Sequence, residues 1–155
     1  MSYKVRQAVR GDVEAMIRMQ ADMAWETEKL KLDEDTLRRG MNIPFDRPGV
    51  ADYYVVEETE EKRIVAMLMT TQEWSDWRAG AVMWIQSVYV VPEHRRRGLF
   101  RRMYEHLRKL VEESDYYEGI RLYVETENKN AQATYRSVGM EVEHYHMMKW
   151  MKGHF

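Results

Sequence analysis

The stretch VYVVPEHRRRGLFR, residues 88–101, says most about the fold of this chain. Its apolar start, which Pro92 ends, predicts a strand, and the residues from Gly98 onward predict the start of a helix. A helix N-terminus leaves backbone N–H groups unpaired and carries the positive end of the helix dipole. Glycine lets a ligand approach the backbone closely, and arginines can donate charge-assisted hydrogen bonds to phosphate oxygens. The turn therefore predicts an anion site, although a basic loop that only caps a helix would have the same pattern.

Two nucleotide-binding motifs are excluded by the glycine pattern of this turn. No Gly-Lys-Ser or Gly-Lys-Thr follows, which excludes a nucleotide P-loop. A single glycine is present, so the turn is not a dinucleotide fingerprint either.

The elements on either side of the turn follow from hydrophobic periodicity and from Gly, Pro and Asp positions. Apolar residues at spacings of three and four predict an amphipathic helix after Gly98. Strands are predicted at residues 5–9, 53–57, 64–71, 82–91 and 120–124, with a loosely alternating strand at 141–151 that closes the sheet. Further helices are predicted to follow Asp12, to span 33–40, and to span 130–138 before Gly139, with loops at 42–49 and 73–80. The order predicts one domain, residues 1–155, of α/β (α+β) class, with a mixed sheet and helices packed against it.

Composition narrows the function classes. The 155 residues carry 24 basic and 26 acidic side chains, a net charge of −2, which argues against a nucleic-acid partner despite the arginine run. The absence of cysteine excludes disulfides, thiolate metal sites and a cysteine nucleophile. No apolar stretch has the length of a membrane helix, and the first residues lack the apolar run of a signal peptide, so a cytoplasmic protein without a membrane partner is expected.

A second segment, NKNAQATYRSVGM at 128–140, forms a family pattern together with the predicted anion turn. The first segment resembles the Arg/Gln-x-x-Gly-x-Gly/Ala pyrophosphate loop of the GCN5-related N-acetyltransferase (GNAT) superfamily, with Arg95 and Gly98 in register. The second resembles the Asn-x-x-Ala-x-x-x-Tyr-x-x-x-Gly-Phe motif of that family, with Met140 in place of the Phe. Its matching residues are Asn128, Ala131, Tyr135 and Gly139. The resemblance implies the GNAT fold, a mostly antiparallel mixed sheet of six to seven strands with about four helices. One departure is Phe100, where the family has Gly or Ala.

The resemblance also implies a cofactor and a mechanism. Acetyl-CoA would donate its acetyl group directly to an amine, with backbone groups of the strand before the turn binding the pantetheine arm. Tyr135 would be the general acid that protonates the departing thiolate. The residues implied for binding CoA are Val88, Tyr89, Val90, Arg95, Arg96, Arg97, Gly98, Leu99, Phe100, Arg101 and Asn128.

The general base is the part of the mechanism that the pattern does not supply. One position where family members carry a carboxylate holds Gln86, and another holds Tyr123. Neither side chain is a carboxylate that could take a proton from an ammonium group. A water chain to a more distant acid, such as Glu73 or Glu125, and an already neutral nucleophile are the alternatives.

The acceptor side is predicted around the aromatic loop at 73–80, which precedes the fourth predicted strand, residues 82–91. A cation or aromatic ring could lie among its tryptophans, although the same residues could pack against the sheet or a second subunit. The candidate acceptor residues are Glu73, Trp74, Trp77, Trp84 and Gln86. We expect a small-molecule amine as substrate and a homodimer. The alternatives are a non-catalytic CoA- or acyl-CoA-binding module and an acetyltransferase of protein or peptide amines.

Overall fold

The computed structural model describes residues 1–153, which divide into two compact units. The first is Met1–Tyr123, and the second begins at Val124. Each is described separately below.

The first unit contains five strands and three α-helices. The strands are β1 (Tyr3–Gln7), β2 (Asp52–Glu58), β3 (Arg63–Ser75), β4 (Gly80–Val90) and β5 (Tyr117–Leu122), and the helices are α1 (Val13–Glu28), α2 (Glu34–Asp46) and α3 (Leu99–Glu112). The strands form one sheet in the order β1-β2-β3-β4-β5. All neighbouring pairs are antiparallel except β4 and β5, which run parallel with α3 as the connection.

Helices cover both faces of this sheet. Successive side chains of a strand point to opposite faces, so Tyr53 and Tyr54 of β2 mark the two sides. Phe45 of α2 stacks on Tyr53 with 6.3 Å between ring centroids, whereas His106 of α3 lies 5.8 Å from the ring of Tyr54. Fully buried side chains from the sheet and from α1, α2 and α3 form the core: Met16, Met41, Met67, Leu68, Met83, Met103 and Leu107.

Two irregularities of β4 shape the region next to the predicted anion turn. The β3–β4 register steps from Met67↔Tyr89 to Met69↔Gln86, so two residues of β4 oppose one of β3. This is a β-bulge, and Ser87 within it has a φ of 57°. The β4–β5 pairing ends at Ile85↔Leu122. Within residues 1–153, the last five residues of β4, 86–90, therefore have no partner in β5.

The predicted strand at residues 141–151 is not formed. No described residue after Leu122 lies in a strand, so within residues 1–153 the sheet has five strands rather than six to seven. A strand is held by hydrogen bonds to a neighbour, and a loosely alternating pattern does not supply one. Large apolar side chains of the segment are exposed instead, Met148 at 91% and Trp150 at 85%.

Two predicted loops are partly regular structure. Helix α2 continues to Asp46 through Pro44, where a loop beginning at residue 42 was predicted. Contacts distant in sequence stabilise this last turn, because the Arg10 guanidinium donates to Asn42 Oδ1 at 3.0 Å and also pairs with Asp46. Strand β3 likewise runs to Ser75 and makes a tight hairpin with β4, where a loop was predicted from residue 73.

The second unit contains one helix, α4 (Lys129–Ser137). The side chain of Asn128 caps it, with Oδ1 accepting a hydrogen bond from the Ala131 N–H at 3.1 Å. Gly139 follows the helix with a φ of 96°, which is the left-handed conformation that favours glycine after a helix end. The predicted helix and its glycine stop are confirmed. Over residues 1–153, no helix combines the length and the apolarity needed to cross a membrane.

Candidate active site

The predicted anion turn has an unusual backbone. A short 3₁₀ turn, Pro92–His94, leads from β4 into the arginines, and α3 begins at Leu99. Arg96 and Gly98 have φ values of 61° and 71°, both in the left-handed region. Among residues 1–153, no side chain caps α3, and a Cβ placed on Gly98 would have no neighbouring atom within 4 Å. The N-terminal N–H groups of α3 therefore face a space that a ligand could approach closely.

The arginines of this turn differ in their partners. Arg97 donates to the sulfur of Met1 at 3.7 Å, and Arg101 pairs with Glu105 at 3.6 Å. Arg95 is bound to Glu26 and to the Val90 carbonyl. Over the described residues 1–153, the exposed Arg96 side chain makes no hydrogen bond or ion pair. Arg96 is thus the arginine of the turn whose charge is least occupied by the protein.

The end of β4 offers backbone groups along the same side of the unit. The Val91 N–H donates to the Val65 carbonyl at 2.9 Å, so the backbone N–H of Val91 points towards β3. By strand alternation, the backbone groups of Val90 point the other way, towards the edge that β5 leaves open. The predicted CoA-binding residues Val88, Tyr89 and Val90 thus lie on a strand end that runs directly into the Gly98 turn.

A polar and aromatic patch lies on the α2-side face of β3, β4 and β5. Gln86 Nε2 donates to Thr71 Oγ1 at 3.0 Å. The ring of Trp84, which is opposite Thr71 in register, lies 6.1 Å from that of Tyr123. On the same face, Arg121 Nη1 donates to Glu73 Oε1 at 2.5 Å. We call this set of six residues the acceptor-face patch: Thr71, Glu73, Trp84, Gln86, Arg121 and Tyr123.

The three candidate tryptophans are not brought together. Trp74 follows Glu73 on β3 and therefore points to the opposite face, where its ring lies 6.1 Å from that of Tyr116. Trp77 lies in the hairpin turn and is 92% exposed. Only Trp84 of the three belongs to the acceptor-face patch, so the predicted tryptophan box does not form within this unit.

The second unit holds the predicted Asn128 and Tyr135. Asn128 Oδ1 is occupied in capping α4, which is the structural role that asparagine commonly has at a helix start. Tyr135 is half-buried on α4, and its burial raises the pKa of the phenol above the usual 10. The phenol is therefore protonated at neutral pH.

The sequence and the fold both match known acetyltransferases. The model of the acetyltransferase (GNAT) family matches residues 14–140, most of the chain. The chain belongs to the GNAT acetyltransferase family. A possible acetyltransferase from Clostridium difficile 630 is 36% identical, with 99% of this chain and 100% of that chain covered and a TM-score of 0.89.

Solved structures of lower sequence identity share the fold. The glucosamine-6-phosphate N-acetyltransferase of Arabidopsis thaliana has a TM-score of 0.75 at 20% identity, with 98% of this chain and 100% of that chain covered. An acetyltransferase of Trypanosoma brucei has a TM-score of 0.74 at 17% identity over 97% and 100%. Among curated proteins, no significant match to the sequence was found.

Several contacts of the candidate site were not predicted from the sequence. Glu26 of α1 binds both Tyr89 and Arg95, and Arg121 and Thr71 complete the acceptor-face patch. Strand alternation after the correct register would have placed Thr71 and Arg121 beside Trp84, but the register itself is not visible in the sequence. No sequence signal links Glu26 to residues 63 and 69 positions away. Among residues 1–153, no group of three or more His, Asp or Glu side chains is arranged to hold a metal ion.

Proposed function

We propose that this GNAT acetyltransferase uses acetyl-CoA to acetylate the primary amine of a small molecule by direct transfer. The observation that carries the proposal is the continuity of the open β4 edge with the uncapped start of α3. Within the first unit, residues 86–90 lack a β5 partner, and Gly98 leaves the helix start unobstructed. The single domain of residues 1–155 that the sequence predicts is part of the same proposal.

The residues present fit CoA chemically. An amide-bearing pantetheine arm needs backbone partners, which outward-facing groups at the end of β4, such as the Val90 N–H, would supply. A pyrophosphate needs unpaired N–H groups and cations, for which the turn offers the start of α3 and the free Arg96. A Cβ would occupy the open space at Gly98, which agrees with a position where backbone and ligand are close. When bound, acetyl-CoA supplies an activated acetyl thioester.

Two groups of the chain would act during transfer. Outward-pointing N–H groups near the end of β4 are fixed donors that can stabilise developing negative charge on a carbonyl oxygen. Tyr135 would donate a proton to the leaving thiolate, a role that rests on its place in the motif. The phenol holds its proton at neutral pH, as a general acid must before it acts, and burial raises its pKa further.

The chain holds no carboxylate at the family's two base positions. The amide of Gln86 donates to Thr71, which suits it to orient an acceptor or a water molecule but not to take a proton. Glu73 already accepts from Arg121. We therefore propose that the acceptor reacts as its neutral amine or loses its proton through water, with Glu73 or Glu125 as the more distant acid.

The acceptor is proposed to bind at the acceptor-face patch. The patch combines the ring of Trp84 with the amide of Gln86 and the paired charges of Glu73 and Arg121. Because Glu73 is paired, the patch presents little net negative charge, which does not favour a polyamine. A small amine with polar groups suits it better than a polycation.

A homodimer is a further part of the proposal. Apolar side chains between Val142 and Met151 are largely exposed in the single chain, and such patches mark association surfaces. Association of two copies through this segment would remove them from water.

The experiment that tests the function is a thiol-release assay with acetyl-CoA. Pools of amines, amino acids, aminoglycoside-type antibiotics and peptides would be compared with a reaction without acceptor. We expect release with a pool of small amines. Release with peptides alone would favour a protein or peptide acetyltransferase, and tight CoA binding without release would favour the binding module.

A further inference from the structure

Arg95 is bonded both to the end of β4 and to α1. Its Nε donates to the Val90 carbonyl at 2.8 Å, and its Nη2 donates to Glu26 Oε2 at 2.9 Å. The guanidinium carbon lies 5.3 Å from the centre of the Tyr89 ring. The other oxygen of Glu26 accepts from the Tyr89 hydroxyl at 2.7 Å. Arg95, Glu26, Tyr89 and the Val90 carbonyl thus form one closed cluster, which we call the α1–β4 clamp.

The charges in this clamp are already satisfied. The hydroxyl of Tyr89 and then the guanidinium of Arg95 lower the pKa of Glu26, which is therefore ionised at neutral pH. Burial, followed by the bond to Glu26, raises the pKa of Tyr89 to about 12. The charge of Arg95 is balanced by Glu26, so a phosphate would have to displace a carboxylate to bind it. Arg96, the next residue, is exposed and carries no such partner among residues 1–153.

The clamp acts at the open strand end. Val90 points its backbone groups towards the edge that β5 leaves open, and Arg95 binds its carbonyl there. Glu26 lies in the last turn of α1, so the clamp connects that helix end to the strand end that precedes the turn. The clamp can therefore set the geometry of the end of α1 and the end of β4 without contacting acetyl-CoA or the acceptor.

We propose that Arg95 is a positioning residue and not a phosphate ligand. With Glu26 and Tyr89 it fixes the end of α1 against the open end of β4 and so orients the backbone that receives the donor. The inference rests on the proposed function for its catalytic consequence, but the clamp itself is a property of the free protein.

The salt dependence of CoA binding distinguishes an arginine that positions the backbone from one that binds phosphate. CoA binding to wild type, R95A and R96A would be measured by calorimetry from low to high salt, because salt screens exposed charge pairs. R96A should weaken binding at low salt about tenfold, and its affinity should depend less on salt than that of wild type. R95A should keep the wild-type salt dependence while kcat/KM for the acceptor falls about tenfold. A salt dependence in R95A as flat as in R96A would overturn the proposal.

A second measurement needs no cofactor. Amide shifts of residues 86–91 in the free protein would be compared among wild type, R95A, E26Q and the double variant. We expect E26Q and R95A to move the same amides, and the double variant to add little, because both variants open one cluster. The pair is exposed, with side chains at 43% and 40%, so the variants should fold and melt within a few degrees of wild type. Independent, additive shifts would overturn the clamp even if CoA bound. Failure of wild type to bind CoA would instead contradict the proposed function, and the amide shifts would still decide on the clamp.

Discussion

Gly98→Ala is the substitution that best distinguishes two roles of residue 98, starting helix α3 and admitting the proposed ligand. The backbone at residue 98 has a φ of 71°, and alanine in this left-handed conformation costs about 1–2 kcal/mol. In the described part of the chain, residues 1–153, no atom lies within 4 Å of the added Cβ, so no clash there adds to that cost. For a chain of this size, the melting temperature should fall by about 2–8 °C. The fold should persist.

Binding of CoA should fall by more than this stability change explains. The new methyl would lie in the open space at the start of α3, where the phosphate is proposed to approach the N–H groups. We expect the Kd, measured by calorimetry well below the melting temperature, to rise at least about tenfold, or ~1.4 kcal/mol.

The matched control is Gly11→Ala. Gly11 also has no atom within 4 Å of an added Cβ, but its φ is outside the left-handed region. This variant should bind CoA as wild type does. Equal CoA affinity of the Gly98 and Gly11 variants would show that the turn is a helix start only and does not bind the cofactor.

Three further predictions follow from other parts of the chain. Tyr135→Phe should lower kcat by about 10²–10⁴-fold with little change in CoA affinity, and the loss should shrink above pH ~8.5, where the thiolate leaves without a proton; equal pH–rate profiles would refute the acid role. Asp12→Asn should destabilise the first unit by about 2–3 kcal/mol in urea unfolding, because Asp12 accepts from Arg6 at 2.8 and 3.0 Å and from the Val9 N–H at 2.8 Å. Burial alone would raise the pKa of Asp12, but the hydrogen bonds from Arg6 and Val9 outweigh it, so the pKa of Asp12 is lowered in the folded state. The stabilisation is therefore present above the unfolded pKa of about 3.9 and is lost as the pH falls through the lower folded pKa. If Asp12→Asn kept the wild-type pH dependence of stability, this prediction would be contradicted. Light scattering at tens of micromolar should give the mass of a dimer, and a monomer would remove that proposal.

Local signals in the sequence were enough to predict the elements around the site. The spacing of apolar residues after Gly98 predicted α3, and the left-handed φ of Gly98 agrees with the close-approach role assigned to glycine. The helix predicted at 130–138, with Gly139 as its stop, agrees with α4 within a residue at each end. These predictions succeeded because capping and helix periodicity depend on neighbours within a few residues.

The features that shape the site depend on contacts between distant residues. The bulge at Ser87 and the end of β4–β5 pairing at Ile85 follow from strand register, which packing of the whole sheet decides. The clamp joins Glu26 to Arg95 across 69 positions. The tryptophans were predicted as one cluster because they are close in sequence, but alternation along β3 puts Trp74 on the opposite face from Glu73 and Trp84.

The proposed acetyl-CoA site is best tested by mapping amide shifts of the free protein during a titration with acetyl-CoA. We expect saturable binding at micromolar or lower concentration, with the largest shifts at the end of β4, residues 86–91, and at the turn and helix start, residues 96–101. Saturation should also raise the melting temperature, by linkage of about 2.7 kcal/mol at a hundredfold excess over Kd. No shift at millimolar acetyl-CoA, or shifts confined to other surfaces of the protein, would contradict the proposed site.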